Sequence, residues 1–229
     1  MILDLLLTGN IQSAIISFLL SVPIIILILS VHEYAHGVVA KKLGDPTAES
    51  LGRLTLNPIK HIDPFGFLMF LLLGIGYAKP VPINSRYFKK PKRDMALVGA
   101  AGPIANALMA IIFTALIKLL FLLVNFIPAT APLWTITALG YLYELLYLGV
   151  FYNVAFALFN LIPVPPLDGS RILYAFLPPK ALFWFQRNEQ YFMWGVLGAF
   201  LIFNFLNINI IGRITQFFMH LLFKLFFIA

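Results

Sequence analysis

The chain has 229 residues, of which 61% are hydrophobic and only 11% charged, with a mean hydropathy of +0.94. Soluble domains carry about 25% charged residues, so this composition excludes an ordinary soluble fold and points to an integral membrane protein in a lipid bilayer. The net charge of +7 sits in loops beside apolar runs, the pattern of cytoplasmic membrane loops rather than of a nucleic-acid-binding face, and the lack of Cys removes thiol catalysis, disulfides and thiolate metal sites.

Residues 1–10 read as a short apolar lead broken at Gly9-Asn10. No Lys or Arg precedes Lys41, so the basic region of a cleaved signal peptide is missing and the first span is expected to stay. The pattern predicts a helix over 11–42, kinked by Pro23 and ended by Gly44 as cap and Pro46 as stop. Residues 47–63 read as extended or irregular, with turns at Asn57-Pro58 and Asp63-Pro64. The apolar run 65–77 is too short to cross as a helix and is expected to be re-entrant or to lie in the membrane. Alternating prolines make 78–84 extended.

Basic residues crowd 86–94. A span then runs over 95–124, opened by small residues from Gly99 to Ala105 that allow close helix approach. A second span covers 134–161 and stops at the Pro-rich stretch 162–169. Residues 171–190 read as a polar connection, 191–212 as a further span, and the tail as a helix with a polar stripe of Arg213, Gln216, His220 and Lys224. The expected fold is an all-α polytopic membrane protein. It has about five membrane-associated helices, with short extended and re-entrant segments on the cytoplasmic side. It forms a single domain over 1–229, with its core at 11–174 and C-terminal helices at 190–229. The basic loops 41–63, 79–94 and 171–187 are placed in the cytoplasm by the positive-inside rule.

The stretch His32-Glu33-Tyr34-Ala35-His36 organises this frame. On a helix the two histidines lie one above the other and can share one metal ion, while Glu33 can reach the water that such a metal activates. With four His and four Glu in the chain, a chance match has odds on the order of one in a thousand. No charged residue lies between Asp4 and His32, so the motif rides on a membrane-spanning helix. A third ligand shortly downstream would be Glu49 or Asp63, both in a polar loop among basic residues. Asp168 is the stronger candidate, because it follows the Pro-rich break, Gly169 permits a tight turn beside it, and helix direction brings it to the depth of His32 and His36.

Other polar residues read mostly as structural. Lys118 and Glu144 are expected to pair between consecutive spans. Asn106 and Asn153 suit interhelical hydrogen bonds, with Asn106 also a candidate substrate contact. His61 and His220 are not expected to be ligands. The extended segments 50–57 and 79–85 could form a sheet edge on which an unwound substrate strand pairs.

Several motifs occur together and in order: His-Glu-Tyr-Ala-His at 32–36, Gly52-Arg53-Leu54-Thr55-Leu56-Asn57-Pro58, His61-Ile62-Asp63-Pro64, Ala78-Lys79-Pro80-Val81-Pro82, Ala101-Gly102-Pro103 with Asn106, and Phe159-Asn160-Leu161-Ile162-Pro163 leading to Leu167-Asp168-Gly169. Together they resemble the site-2 proteases, a family of zinc intramembrane metalloproteases, in a short form without PDZ or CBS domains. The resemblance covers most of 30–174. It implies Zn2+ held by His32, His36 and Asp168, Glu33 as the base, and substrate contact by Asn160. The implied partners are single-span membrane protein substrates, and the implied setting is the cell membrane, multi-pass, with the active site near the cytoplasmic side. Nothing in the pattern sets an oligomeric state.

Rival chemistries fit less well. A serine intramembrane protease lacks its G-x-S-x-G nucleophile motif, and Lys42-Leu43-Gly44-Asp45 lacks the first glycine of an aspartyl G-x-G-D. The remaining alternative is a non-proteolytic relative that binds metal or substrate, or a transporter. A transporter tends to show internal repeats, and none is seen.

Overall fold

The computed structural model describes residues 11–66, 68, 78–128, 130–206 and 208–227. In chain order it contains α1 (Ile11–Lys42), the single turn α2 (Thr47–Ser50), 3-10 turns at Pro58–Lys60 and Ser85–Tyr87, α3 (Pro91–Val124) and α4 (Leu133–Asn160). The short α5 (Asp168–Tyr174) and α6 (Pro179–Arg187) follow, then α7 (Glu189–Phe205) and α8 (Ile210–Phe227). Among the described residues four helices are long and apolar enough to cross a membrane: Ile15–Lys42, Pro91–Val124, Leu133–Asn160 and Ile210–Phe227. The protein is an all-α polytopic membrane protein, as the sequence predicts. α1 has 32 residues, roughly 48 Å at about 1.5 Å per residue, so it crosses a ~30 Å hydrocarbon core with turns to spare.

The central element is α3, which packs against α1, α4, α5 and α8. Pro91 starts it, with φ already preset for a first helical turn. Its core contacts run along one face through Ala110, Phe113, Ile117 and Leu120, meeting Ile24 and Ile28 of α1, Leu146, Val150 and Val154 of α4, and Met219 of α8. In a bilayer such contacts gain no transfer from water, so close packing and van der Waals contact hold the helices together. Polar side chains inside the bundle mostly satisfy themselves on their own helix, as Thr114 Oγ1 does on the Ala110 carbonyl at 2.8 Å and Asn153 Nδ2 on the Gly149 carbonyl at 2.7 Å.

At the end of α1, Gly44 takes the left-handed conformation (φ 106°) expected of a helix cap. The loop after it is more ordered than its composition suggests. Asp45 Oδ1 accepts the Thr47 N–H at 3.0 Å and starts α2, and Asp45 Oδ2 accepts the Asn84 N–H at 2.7 Å, tying the far end of 78–84 to the end of α1. Among the described residues no strand forms on 50–57 or 79–85. The only pairing among these described residues is one antiparallel bridge between Ile62 and Ala78. Alternating prolines explain this, since they remove the donors a ladder requires.

Three further expectations change. Residues 171–190 are helical rather than a mere connection: α5 carries Arg171, and α6 starts with Pro179 at its first position. The expected span over 191–212 is instead α7, which ends at Phe205 and is shorter than the four crossing helices, whereas the striped tail, expected as a separate helix, forms α8 and is itself long and apolar enough to cross. No ion pair joins Lys118 to Glu144; Glu144 Oε1 instead accepts the Ser17 hydroxyl of α1. The re-entrant reading of 65–77 concerns a stretch of which 67 and 69–77 lie outside the described residues, as does the lead 1–10.

Candidate metal centre

His32 and His36 lie on the second half of α1, one turn apart, with their rings nearly perpendicular and centroids 4.6 Å apart. Their Nε2 atoms are 3.0 Å from each other, and Asp168 Oδ2, at the start of α5, lies 3.0 Å from the first and 3.1 Å from the second. All three residues are buried. Three lone-pair donors converging this closely repel one another unless a cation or protons lie between them. Tetrahedral ligands at zinc distances of 2.0–2.1 Å stand about 3.3 Å apart, so the triangle has the size one metal ion requires. The group could hold such an ion.

Each donor is oriented by a second contact on its far side. His36 Nδ1 donates to the Val98 carbonyl of α3 at 2.6 Å. A carbonyl only accepts, so the proton sits on Nδ1 and the lone pair of Nε2 faces the triangle. His32 Nδ1 meets the Asn106 amide, also on α3, at 3.2 Å. If His32 Nε2 offers a lone pair, Nδ1 carries a proton and needs an acceptor. Asn106 Oδ1 is buried without a partner. Amide orientation is settled by such hydrogen-bond bookkeeping, and turning Oδ1 toward Nδ1–H satisfies both atoms. Asp168 Oδ1 accepts from Arg171 Nη1 at 3.1 Å, one turn along α5, which leaves Oδ2 alone to face the histidines. When protons rather than a cation fill the triangle, burial pushes the Asp168 carboxyl up, but hydrogen bonds from the His32 and His36 Nε2 atoms and their charge outweigh that and hold it below the usual carboxylate range.

Two glycines make the approach possible. A Cβ on Gly102 would stand 2.4 Å from His32 Cε1 and 2.5 Å from His36 Nε2, so only glycine lets α3 pass over the histidines. A Cβ on Gly169 would stand 2.3 Å from the Leu161 carbonyl, so Gly169 lets α5 fold back under the end of α4 and present Asp168. The sequence marks Gly102 as a packing residue and misses its contact with the site.

Glu33, next to His32 on α1, is half-buried, and its Oε2 accepts the Val81 N–H at 2.7 Å. The rival third ligands are occupied elsewhere. Glu49 Oε1 pairs with Lys41 Nζ at 2.6 Å in an exposed position, and Asp63 Oδ1 accepts the N–H groups of Phe65 and Gly66. His61 Nε2 lies 2.7 Å from the Thr55 carbonyl, away from the triangle, and His220 is exposed on α8. Asn160, the last residue of α4, bonds the Phe156 carbonyl of its own helix at 3.1 Å. Two cavities of about 410 and 470 Å³ lie elsewhere, around Tyr147 and His220 and around Val164 and Gly195, and none of the three donors lines either.

The chain matches the model of peptidase family M50 over residues 20–204, a stretch that contains all three donors and Glu33. It belongs to peptidase family M50. Among curated proteins, this M50 chain is 41% identical over 167 residues to YwhC of Bacillus subtilis, provisionally named a zinc metalloprotease; the match covers 73% of each chain. It is 32% identical over 161 residues to Rip2 of Mycolicibacterium smegmatis, which bears the same provisional description. That match takes in 66% of this chain and 55% of the relative, so the chain spans just over half the length of Rip2. No solved structure matches. Family and relatives support a metalloprotease, and the donor triangle is a group that could hold its metal.

Proposed function

We propose that this M50 peptidase is a zinc-dependent endopeptidase that cleaves transmembrane segments of single-span membrane proteins within the bilayer. The observation that carries the reading is position. His32, Glu33 and His36 lie on the apolar span Ile15–Lys42, and the helix laid over them, Pro91–Val124, is itself long and apolar enough to cross. Ionisable groups at that depth cost several kcal/mol unless paired or coordinating, and in membrane spans they mark functional sites.

His32 and His36 through Nε2, and Asp168 through Oδ2, would hold the zinc, leaving a fourth position open. When bound, zinc supplies a Lewis acid that polarises the scissile carbonyl and activates water. Glu33 has one oxygen fixed by the Val81 N–H, which leaves Oε1 to take the proton of the attacking water and pass it to the leaving amine. Asn106 positions His32, and Asn160 is assigned to substrate contact. A substrate helix hides its carbonyls in internal hydrogen bonds, so a few residues must unwind before attack.

Co-expression with single-span membrane proteins, comparing wild type with Glu33→Gln by mass spectrometry of fragments, tests the activity. Glu33→Gln should keep its metal and lose about 10²–10⁴-fold in turnover; cleavage at the wild-type rate would sink the assigned mechanism. The site lies toward the cytoplasmic face of the cell membrane, by the charge of its loops. Ser85→Cys should therefore react with an impermeant thiol reagent only from the inside, and labelling from the outside alone would overturn the topology.

A further inference from the structure

The contact between Glu33 and Val81 has a second end. The Val81 N–H and the Pro80 C=O belong to one peptide group, a single conjugated unit. While the N–H donates to Glu33 Oε2 at 2.7 Å, the Pro80 carbonyl accepts from Arg53 Nη2 at 3.2 Å, and the same nitrogen reaches the Lys79 carbonyl at 2.9 Å. A cation and a carboxylate thus grip opposite ends of one peptide. Charge-assisted hydrogen bonds are the strong ones, and bonds at both ends of a peptide polarise it in the same sense.

The surrounding chain leaves this arrangement little freedom. Pro80 and Pro82 have no N–H, so Val81 supplies the only donor between Lys79 and Ile83. Val81 is buried. The segment is pinned on either side, by the Lys79 N–H on the His61 carbonyl at 2.8 Å and by the Asn84 N–H on Asp45 Oδ2 at 2.7 Å. Arg53 is itself anchored: its N–H donates to the Ala48 carbonyl at 2.8 Å, and the neighbouring Leu54 packs on Gly37, one residue beyond His36.

We infer that Arg53 is a positioning residue for Glu33, acting through the Pro80–Val81 peptide: it aims the Val81 N–H so that one carboxylate oxygen stays fixed and the other stays free for proton transfer. The inference rests on the reading of Glu33 as the base.

The test has two arms. In 15N-valine-labelled protein the Val81 amide is identified with Val81→Ala, which moves the signal to another residue type while keeping the N–H. Its proton resonance should shift upfield in Arg53→Gln, as in Glu33→Gln, because the donor bond weakens. In the second arm, with a single-span protein cleaved by wild type in the fragment screen, Arg53→Gln should lose about tenfold or more in kcat. That loss should fall short of the roughly 10²–10⁴-fold cost of removing the base, with KM and zinc content unchanged. Arg53→Lys, which keeps the cation but can grip only as a point charge, should recover part of the loss. An unmoved Val81 resonance in Arg53→Gln, a wild-type kcat, or a loss that follows zinc content or KM would each overturn the inference while leaving the peptidase reading standing. Failure of wild type itself to cleave any membrane protein would remove that reading, and this inference with it.

Discussion

Polar side chains in this bundle follow two different habits. Away from the candidate metal centre most bond to their own helix, as Ser21 Oγ does to the Ser17 carbonyl at 2.6 Å, Thr114 to Ala110 and Asn153 to Gly149. Around the centre they bond across elements: His36 on α1 to Val98 on α3, His32 to Asn106 on α3, and Asp168 on α5 to both histidines of α1. A self-bonded Ser or Thr is satisfied wherever its helix goes and says nothing about neighbours, and Asn153 holds its Nδ2 in the same way while its Oδ1 has no partner. A cross-bonded group holds only when three helices are in register. The register of α1, α3 and α5 is therefore what the site demands of the fold, and the rest of the bundle is free to be merely apolar and well packed.

The largest break in that contrast should come from Asp168→Ala. It removes the single anionic donor and the only donor that α5 contributes. Zinc binding, measured by equilibrium dialysis with metal analysis, should weaken by several orders of magnitude, and activity should go with it. Glu49→Ala and Asp63→Ala, whose carboxylates are used in an ion pair and a turn, should keep both. An Asp168→Ala protein with its zinc intact would show that the triangle is not the centre.

A smaller effect separates the two habits within one residue type. Asn106→Ala strips His32 Nδ1 of its partner, and loss of such an outer hydrogen bond typically costs 10–100-fold in metal affinity. Asn153→Ala, equally buried but bonded to its own helix, should leave metal affinity unchanged. Equal effects from the two would mean that both act through packing alone.

What was legible in the sequence divides along the same line. The histidine pair, Glu33 and Asp168 announce themselves because their residue types are rare in apolar spans and their spacing has a chemical meaning. The long helices announce themselves through uninterrupted hydropathy. The contacts that aim the donors do not, since three of them involve a backbone group or an absent atom: the Val98 carbonyl, the Val81 N–H, and the Cβ that Gly102 lacks. Arg171 carried a weak signal, three residues after Asp168 on a possible helix turn, but reading 171–190 as a connection hid it. The Lys118–Glu144 pairing failed because opposite charges on consecutive spans fix neither depth nor rotation, and the Ser17 hydroxyl reaches Glu144 instead.

Glu144 gives the smallest expected effect and the sharpest check on the contrast, because it is one of two exceptions to self-bonding between α1 and α4. Its Oε1 accepts from Ser17 of α1, and Tyr152 OH reaches Ser21 Oγ one turn further along at 3.3 Å, so α1 and α4 are stitched by two polar contacts. An ionisable residue within a span reads as functional by default. Against that, its recorded partner is a hydroxyl rather than a charge, and it shares no contact with the triangle. A single interhelical hydrogen bond in a membrane protein contributes about 0.6 kcal/mol on average and about 1.7 at most. Glu144→Gln keeps an acceptor oxygen and should be nearly neutral, while Glu144→Leu should lower unfolding stability by an amount in that range, read from denaturant titration in mixed micelles. Neither should change zinc content or kcat. A marked fall in kcat in Glu144→Gln with zinc retained would mean that the far side of the bundle takes part in the reaction, and the division between a cross-bonded site and a self-satisfied scaffold would no longer hold.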